Sequence, residues 1–413
     1  MRLSTGSSAQ SGNRPRHASR RPTQATRLQA PGVLLAAVAL IGASGIASAQ
    51  QPRIFVATAA ELQDAVADPA NAGRTIVLAP NTYFLDPAGP ALGRLELQTD
   101  MQLEGVPGHT DQVVIDASLL PAASYQDGPL FTGALRMGRG RNAVRWLTLR
   151  NAAAGAAFVE TDLPPSAQDD RTSVTVERCI IEGNSRGIDF RLLGTASDNR
   201  TLTGFFTENI LRNNTSGMGQ AIRIVYLQKV NGATLRATIK GNTIEGNVAG
   251  LLAASNGSSG NRITIDSMNN SYSGNGVGGI LVAGISTGMQ ADGNLLTFDS
   301  QNDEFAENSL PTTRYAAAGA GLSVTGGDSA ATVAGRTNDN SARVNLRNAR
   351  FDANPSGDLV VFGAYGAGGL VAGTGNDAVV DLLGGTRDLV ILQTDSEPAE
   401  PTNHVTVIQR PGR

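Results

Sequence analysis

Residues 241–252 read GNTIEGNVAGLL, and the same pattern of asparagine, apolar residue and glycine recurs in four other stretches of the chain. The other copies are VTVERCIIEGNSRGIDF (174–190), ENILRNN (208–214), NSYSGN (270–275) and the looser NARFDANPSG (348–357). In the clear copies an Asn is followed by an apolar residue one or two positions later and by a second Asn five positions on. The first copy has Cys179 in place of its first Asn. The recurrence predicts a chain built from similar structural units.

The spacing of the copies indicates a solenoid. The second Asn stands at 184, 214, 247 and 275, so one unit takes 30, 33 or 28 residues, which is the length of one coil. Asn suits the corners of such coils because it tolerates left-handed backbone geometry and its amide can bond nearby backbone. Stacked amides can also hydrogen-bond from coil to coil as a ladder. The predicted ladder comprises Asn184, Asn209, Asn214, Asn242, Asn247, Asn270 and Asn275.

The composition favours many short strands joined by tight turns. Aromatic residues make up only 4 % of the 413 residues, and there are 49 glycines. A solenoid extends its core in one dimension, so this length does not require two or three separate domains. Cys179 is the only cysteine, so no intramolecular disulfide can form. We predict that it replaces an Asn in the ladder and has a structural role.

The first 49 residues have the features of a signal peptide. Six arginines and no acidic residue precede an apolar run from Val33 to Ile46, and ASAQ follows at 47–50. A basic region, an apolar run of about 14 residues and an A-x-A site together predict cleavage after Ala49. The alternative is a membrane anchor, but the run is shorter than the roughly 18 to 20 residues that span a bilayer. The protein is therefore predicted to be exported, to the periplasm or the medium.

Loss of the leader makes the chain strongly acidic. The precursor has a net charge of −3, and removal of six arginines leaves −9. A protein of this charge is unsuited to non-specific binding of nucleic acid or anionic membranes. No integral membrane segment is expected after cleavage.

A short helix is predicted to cover the N-terminal end of the solenoid. Thr58 is the expected N-cap, and Glu61 three residues later completes a capping box. Leu62 and Val66 give the helix one apolar face. Because the first coil of a solenoid would expose its apolar end, an amphipathic helix is the expected cap.

The Asn-x-Ile-x-x-Asn-x-x-Gly-Ile pattern resembles the repeat of the pectin-lyase-like superfamily. TAAELQ (58–63) and IVLAPNTY (76–83) are similar to the cap and first coil of such proteins. The resemblance implies an all-β, single-stranded right-handed parallel β-helix over residues 50–395, with a tail or closing strand over 396–413. It implies no single activity, because the superfamily includes lyases, hydrolases, esterases and adhesins.

In that superfamily, substrate sites usually lie on the strand that follows the Gly corner. Alternation along a strand predicts which side chains point outward, and neighbouring coils are about 4.8 Å apart. The outward charges should therefore form one patch of three arginines and three acids: Arg136, Glu160, Asp162, Asp189, Arg191 and Arg223. The coils that follow are expected to expose only Leu252, Ala254, Leu281 and Ala283.

Two interpretations of this patch remain open. As a site for an acidic or polyhydroxylated polymer, it would use arginines to hold carboxylates and acids for proton transfer or Ca²⁺ binding. The candidate substrate-binding residues are Arg136, Asp162, Arg191, Arg223 and Tyr226. The candidate catalytic residues are Asp189, Arg191, Arg223 and Glu160. As a structural surface, the same charges would be cross-strand ion pairs that keep the strand face soluble.

Known catalytic signatures of the superfamily are mostly missing. The Asn-Thr-Asp, Asp-Asp and Gly-His-Gly sets of polygalacturonase-like hydrolases and the Arg-x-Pro-x-x-Arg motif of pectate lyases do not occur in arrangement. Only His109 and His404 remain after the leader, and Trp146 is the single tryptophan. Two hypotheses follow. The protein binds or acts on an extracellular or cell-envelope polysaccharide, with Ca²⁺ as the candidate cofactor, or it is a non-catalytic surface, adhesive or structural solenoid.

Overall fold

Three parallel β-sheets wind around a shared apolar core in the computed structural model. The structure describes residues 52–127, 130–153, 155–161, 172–286, 288–311, 317–329, 337–366, 373–384, 391–397 and 402–410. Along most of the chain each coil gives one strand to each sheet, and equivalent strands of neighbouring coils pair in register. This is the predicted right-handed parallel β-helix, in agreement with the strong right-handed preference of parallel crossovers.

The strands are numbered in chain order and named here by sheet. Sheet A contains β1 (Arg53–Val56), β2 (Thr75–Leu78), β5 (Gln102–Glu104), β10 (Arg141–Arg145), β13 (Thr172–Glu177), β16 (Thr201–Thr207), β19 (Thr234–Lys240), β22 (Arg262–Met268), β25 (Leu295–Gln301), β28 (Ser341–Arg347), β31 (Asp377–Leu383) and β33 (His404–Arg410). Sheet B contains β3 (Asn81–Phe84), β6 (Val113–Asp116), β11 (Thr148–Arg150), β14 (Ile180–Glu182), β17 (Ile210–Arg212), β20 (Thr243–Glu245), β23 (Ser271–Ser273), β26 (Glu304–Ala306) and β29 (Arg350–Asp352).

Sheet C is the third parallel sheet and lines the same apolar core. It contains β4 (Leu95–Glu96), β9 (Gly133–Arg136), β12 (Ala157–Glu160), β15 (Arg186–Leu193), β18 (Gln220–Leu227), β21 (Ala249–Asn256), β24 (Val277–Ser286), β27 (Leu322–Ser329), β30 (Leu359–Gly366) and β32 (Ile391–Glu397). A small antiparallel pair is formed by β7 (Gln126–Asp127) and β8 (Leu130–Phe131). Single 3-10 turns occur at Pro69–Asn71, Pro90–Gly93, Thr110–Gln112, Ala122–Tyr125 and Thr195–Ser197.

The helix α1 (Ala59–Ala67) lies at the N-terminal end, as predicted. The Thr58 hydroxyl accepts from the Glu61 backbone N–H at 3.2 Å, and the Glu61 carboxylate accepts from the Thr58 N–H at 3.1 Å. Leu62 and Val66 are buried and join the core. The capping box therefore fixes the start of a helix whose apolar face covers the first coil.

Asparagine amides hydrogen-bond from coil to coil at the corners. The seven predicted ladder residues are at most 2 % exposed. Asn247 shows the pattern: its Oδ1 accepts from the N–H and the Nδ2 of Asn214 at 3.0 and 2.9 Å, and its Nδ2 donates to Asn275 Oδ1 at 3.0 Å. Two ladders run through these residues, one between sheets A and B and the other between sheets B and C.

The ladder between sheets A and B differs from the Asn pattern at both of its ends. Cys179 is buried where an Asn would stand, and its backbone N–H donates to Asn209 Oδ1 at 2.9 Å. Asp303 continues the same ladder, because its Oδ1 accepts from Asn270 Nδ2 at 3.0 Å. A third ladder precedes the strands of sheet A, and the sequence analysis missed it. It consists of Asn261, Asn294, Asn340, Asn376 and Asn403.

The predicted outward residues of β24 are wrong by one position. Leu281 and Ala283 belong to the core, while Ile280 and Val282 point outward in register with Leu252 and Ala254. Gly279 takes the first inward position, in register with Leu251, so the apolar residue that follows it, Ile280, points outward. The outward side chains here are not exposed either, because they form a second buried apolar cluster.

The leader and its cleavage site after Ala49 lie outside the described residues. No helix in the described part of the chain is long and apolar enough to cross a membrane. Residues 404–410, which fall in the segment expected as a tail or closing strand, form β33 and pair in parallel with β31.

Candidate functional site

Five charged side chains occupy one outward row across the N-terminal strands of sheet C. Strand pairing sets Glu96 beside Arg136, Arg136 beside Glu160, Glu160 beside Asp189, and Asp189 beside Arg223. The row then turns apolar, since Leu252 follows Arg223 in register. Because the strands are parallel and in register, residues that are far apart in sequence become neighbours at about 4.8 Å.

Two carboxylates are direct neighbours in this row, and both are buried. Glu160 is 0 % exposed and Asp189 is 1 % exposed. Like charges in this arrangement repel and are costly without compensation. Arg191, also 1 % exposed, lies two residues beyond Asp189 and bridges the pair. Its Nη2 is 2.9 Å from Glu160 Oε2 and its Nη1 is 3.2 Å from Asp189 Oδ2.

Partly exposed arginines surround the buried trio. Arg136 Nε donates to Glu160 Oε1 at 2.8 Å, and Arg223 Nη1 is 3.2 Å from Asp189 Oδ2. Arg186 approaches the same Asp189 oxygen at 3.7 Å. At the other end, Arg94 pairs with Glu96 at 2.8 Å. We call these eight residues the sheet C cluster: Arg94, Glu96, Arg136, Glu160, Arg186, Asp189, Arg191 and Arg223.

The sheet C cluster has more positive than negative charges. Five guanidinium groups stand against three carboxylates, which gives a net charge of +2. Burial raises the pKa of Asp189, but the charges of Arg223, Arg191 and Arg186 outweigh that effect and the pKa is lowered overall. Asp189 is therefore a buried carboxylate that stays ionised. Its Oδ1 has no hydrogen-bond partner among the described residues.

The structure brings five of the predicted patch residues together but places three of them in buried positions. Glu160, Asp189 and Arg191 do point away from the core, yet they are buried instead of exposed. The alternation of residues along a strand predicts the direction in which a side chain points, but it does not predict whether other residues cover that side chain. Only Arg136 and Arg223 keep side-chain exposure, at 17 % and 14 %. These two guanidinium groups are the accessible part of the predicted patch.

Tyr226 does not join the cluster. Tyr226 is fully buried in the core, and its hydroxyl donates to the Arg262 backbone carbonyl at 2.7 Å. It therefore cannot stack on a sugar, and packing explains it. Asp162 lies outside the described residues, as do Asp169 and Asp170.

Three members of the cluster were missed from the sequence. Glu96 follows from the same alternation applied to the LEL strand at 95–97, one coil before Arg136. Arg94 and Arg186 lie at strand ends near the corners, where the alternation begins and gives no orientation. Their inclusion adds two arginines and one acid to the predicted patch, and the described residues of the cluster carry a net charge of +2.

The cluster does not fit Ca²⁺. Glu160 and Asp189 are each contacted by at least two guanidinium groups, so a cation there would replace ion pairs and meet positive charge. No group of three or more metal-ligating side chains occurs elsewhere in the described residues. The excess of arginine instead suits an anion.

Comparisons with known proteins find similar solved structures but no matching family. No protein-family model matches the chain, and no curated protein matches it. Similar solved structures include the A-module of mannuronan C-5 epimerase AlgE4 from Azotobacter vinelandii, with 15 % identity over 86 % of this chain and 96 % of that one and a TM-score of 0.49. Another is pectate lyase Pel9A, with 13 % identity over 84 % of this chain and 78 % of that one and a TM-score of 0.40. From its own sheet topology and Asn-based coils, the chain is a right-handed parallel β-helix repeat protein.

Proposed function

We propose that the protein is exported and binds an acidic polysaccharide through the sheet C cluster. The observation that carries this proposal is the charge of the cluster, +2, in a chain of net charge −9 once the leader is removed. Positive charge concentrated on one face of an acidic protein raises the local concentration of anionic partners. Uronic-acid chains present the carboxylates that guanidinium groups bind best.

The geometry of the face suits a linear polymer. Arg136 and Arg223 are in one outward row, with Glu160 and Asp189 between them. Because the row runs along the solenoid axis at about 4.8 Å per strand, the two arginines are about 14 Å apart. A chain lying along the axis would meet both, whereas a single small anion would not.

The proposal is limited to binding without bond cleavage. Asp189 is held ionised by three arginines, so it has no proton to donate at neutral pH. Glu160 is fully buried and contacted by Arg136 and Arg191. General acid–base chemistry needs a group that can reach the substrate and change its protonation state, and neither carboxylate meets both needs.

The test is a binding panel with the mature chain, residues 50–413. Polygalacturonate and alginate represent acidic polymers, and dextran is the neutral control. We expect binding to both acidic polymers, none to dextran, and a steep loss of affinity as salt is raised from 50 to 500 mM. Binding should be unchanged by EDTA, because the cluster offers no Ca²⁺ site.

Failure of this panel favours the other hypothesis. Equal affinity for dextran and polygalacturonate, or no binding to any polymer at low salt, would overturn the proposal. The cluster would then serve only to neutralise neighbouring strands, and the protein would be a non-catalytic structural or adhesive solenoid. New reducing ends or unsaturated products in the same incubations would contradict the limitation to binding.

A further inference from the structure

A separate polar cavity lies on the outer face of sheet A, in the last coils. It has a volume of about 150 Å³ and is lined by Asn345, Arg347, Asp381, Leu383 and Arg410. Strand pairing sets Asn345 beside Asp381 and puts Arg347, Leu383 and Arg410 in one row across β28, β31 and β33. These strands belong to a different sheet from the sheet C cluster.

The polar groups of the cavity are incompletely matched to each other. Arg410 Nη2 is 2.8 Å from Asp381 Oδ2. The other oxygen, Asp381 Oδ1, is buried and has no hydrogen-bond partner within the described residues. Asn345 turns its Nδ2 toward Asp299 Oδ1, at 2.5 Å. Asn345 therefore does not supply the missing donor.

Arg347 is the unmatched cation of the cavity. It is exposed, and it makes no ion pair with any residue that the structure describes. Together with Arg410 it gives the cavity two guanidinium groups for one carboxylate. A buried acceptor without a donor is unfavourable, and a guanidinium group can hold a carboxylate through two parallel hydrogen bonds.

We infer that this cavity binds a small carboxylate anion that also has a hydroxyl group, such as a sugar acid. The carboxylate of the ligand would bind the guanidinium group of Arg347, and the hydroxyl of the ligand would donate a hydrogen bond to Asp381 Oδ1. A volume of 150 Å³ equals the liquid share of about five water molecules. It therefore admits one small molecule or one terminal residue of a chain, and not a polymer backbone.

Calorimetry on the mature chain tests the inference with three probes: glucuronate, glucose and acetate. Glucuronate has both groups, glucose lacks the carboxylate and acetate lacks the hydroxyls. We expect glucuronate to bind at least tenfold more tightly than either of the others. Equal affinities for glucuronate and acetate, or no binding of glucuronate, would overturn the inference.

Variants separate this cavity from the sheet C cluster. Arg347→Gln should weaken glucuronate binding about tenfold or more, while Arg343→Gln should not. Arg343 is the matched control because it is exposed on the same strand, four residues before Arg347, and does not line the cavity. Arg223→Gln should also leave glucuronate binding unchanged. If Arg223→Gln abolishes it and Arg347→Gln does not, the ligand belongs to the sheet C cluster and the inference is wrong.

Asp381→Asn tests the proposed role of the Asp381 carboxylate in the selectivity for the ligand. The variant keeps the shape of the side chain but weakens its acceptor and frees Arg410. We expect the preference for glucuronate over acetate to fall to less than threefold, with acetate binding retained or stronger. A preference that stays at tenfold would contradict the role of Oδ1, and a thermal melt establishes that each variant is folded.

Discussion

Substitution of Arg191 by Met should destabilise the protein strongly, and more at pH 7 than at pH 4. Arg191 is 1 % exposed and bridges Glu160 at 2.9 Å and Asp189 at 3.2 Å. Met fills similar space without the charge, so two buried carboxylates on neighbouring strands lose their shared partner. Removal of one member of a buried ion-pair network costs about 3–5 kcal/mol. No reduction for solvent screening applies, because all three side chains are buried.

The pH dependence follows from the pKa of Asp189. In the native protein this pKa is lowered, because the effect of burial is outweighed by Arg223, Arg191 and Arg186. A carboxyl with a lowered folded-state pKa stabilises the protein above its unfolded pKa of 3.8, and loses that contribution as pH falls. Without Arg191 the pKa of Asp189 in the folded protein rises. The variant therefore loses stability mainly at pH values at which Asp189 is ionised in the unfolded chain. The deficit should therefore shrink toward pH 4.

Urea denaturation followed by circular dichroism at both pH values measures the effect. A second variant, with Glu160→Gln added to Arg191→Met, provides an internal check. In this double variant Asp189 keeps only Arg223 and Arg186 as partners, and the buried charge of Glu160 is gone. It should therefore recover at least about 1 kcal/mol of the free energy of unfolding that Arg191→Met loses. A single variant as stable as the wild type at pH 7, or equally destabilised at both pH values, would refute the account of the cluster.

Three further predictions concern the corner ladders. Asn247→Leu should lower the free energy of unfolding by about 3–6 kcal/mol in urea, since at least three buried hydrogen-bonding groups of Leu211, Glu245 and Asn214 lose a partner; a loss below 1 kcal/mol contradicts this. Burial raises the pKa of Asp303, so its stability penalty grows as pH rises above 3.8, and Asp303→Asn should stabilise the protein at pH 7 but not at pH 3 in thermal melts. Burial raises the pKa of Cys179 to about 12, so a thiol reagent should label it only after denaturation, and labelling of the native protein at pH 8 would show the thiol to be accessible.

The parts of the fold that depend on local chemistry could be predicted. The Asn and Gly positions mark corners because few residues accept that backbone geometry, and the interval between them is the length of a coil. The capping box at Thr58 and Glu61 is equally local. The third ladder was within reach of the same method, since Asn261, Asn294 and their successors directly precede the last five strands of sheet A. It was missed because no second Asn accompanies them at a fixed distance.

The rest of the site depends on contacts that no local pattern contains. Alternation gave the outward direction of Glu160, Asp189 and Arg191, but burial depends on what lies over a strand, and that is set by distant residues. The predicted phase of β24 was also wrong, because Gly279 occupies the first inward position and the apolar run after it does not show which residues point inward. The cavity at Arg347 and Arg410 joins two coils that are 63 residues apart in sequence. Neither residue stands out from its own neighbours.

The central claim is that the arginines of the sheet C cluster bind an acidic polysaccharide. Its most direct test is the affinity for polygalacturonate of Arg136→Gln/Arg223→Gln compared with Arg212→Gln/Arg350→Gln. Both double variants lose two positive charges, but Arg212 and Arg350 lie on sheet B. Charge-assisted hydrogen bonds are worth about 1.5–3 kcal/mol each.

Because Arg136→Gln/Arg223→Gln loses two such bonds, it should bind polygalacturonate about a hundredfold more weakly or worse. The affinity of Arg212→Gln/Arg350→Gln should stay within about threefold of that of the wild type. Thermal melts of both variants exclude loss through unfolding. Equal loss in the two variants would show that overall charge drives binding. Wild-type affinity in Arg136→Gln/Arg223→Gln would contradict the claim outright.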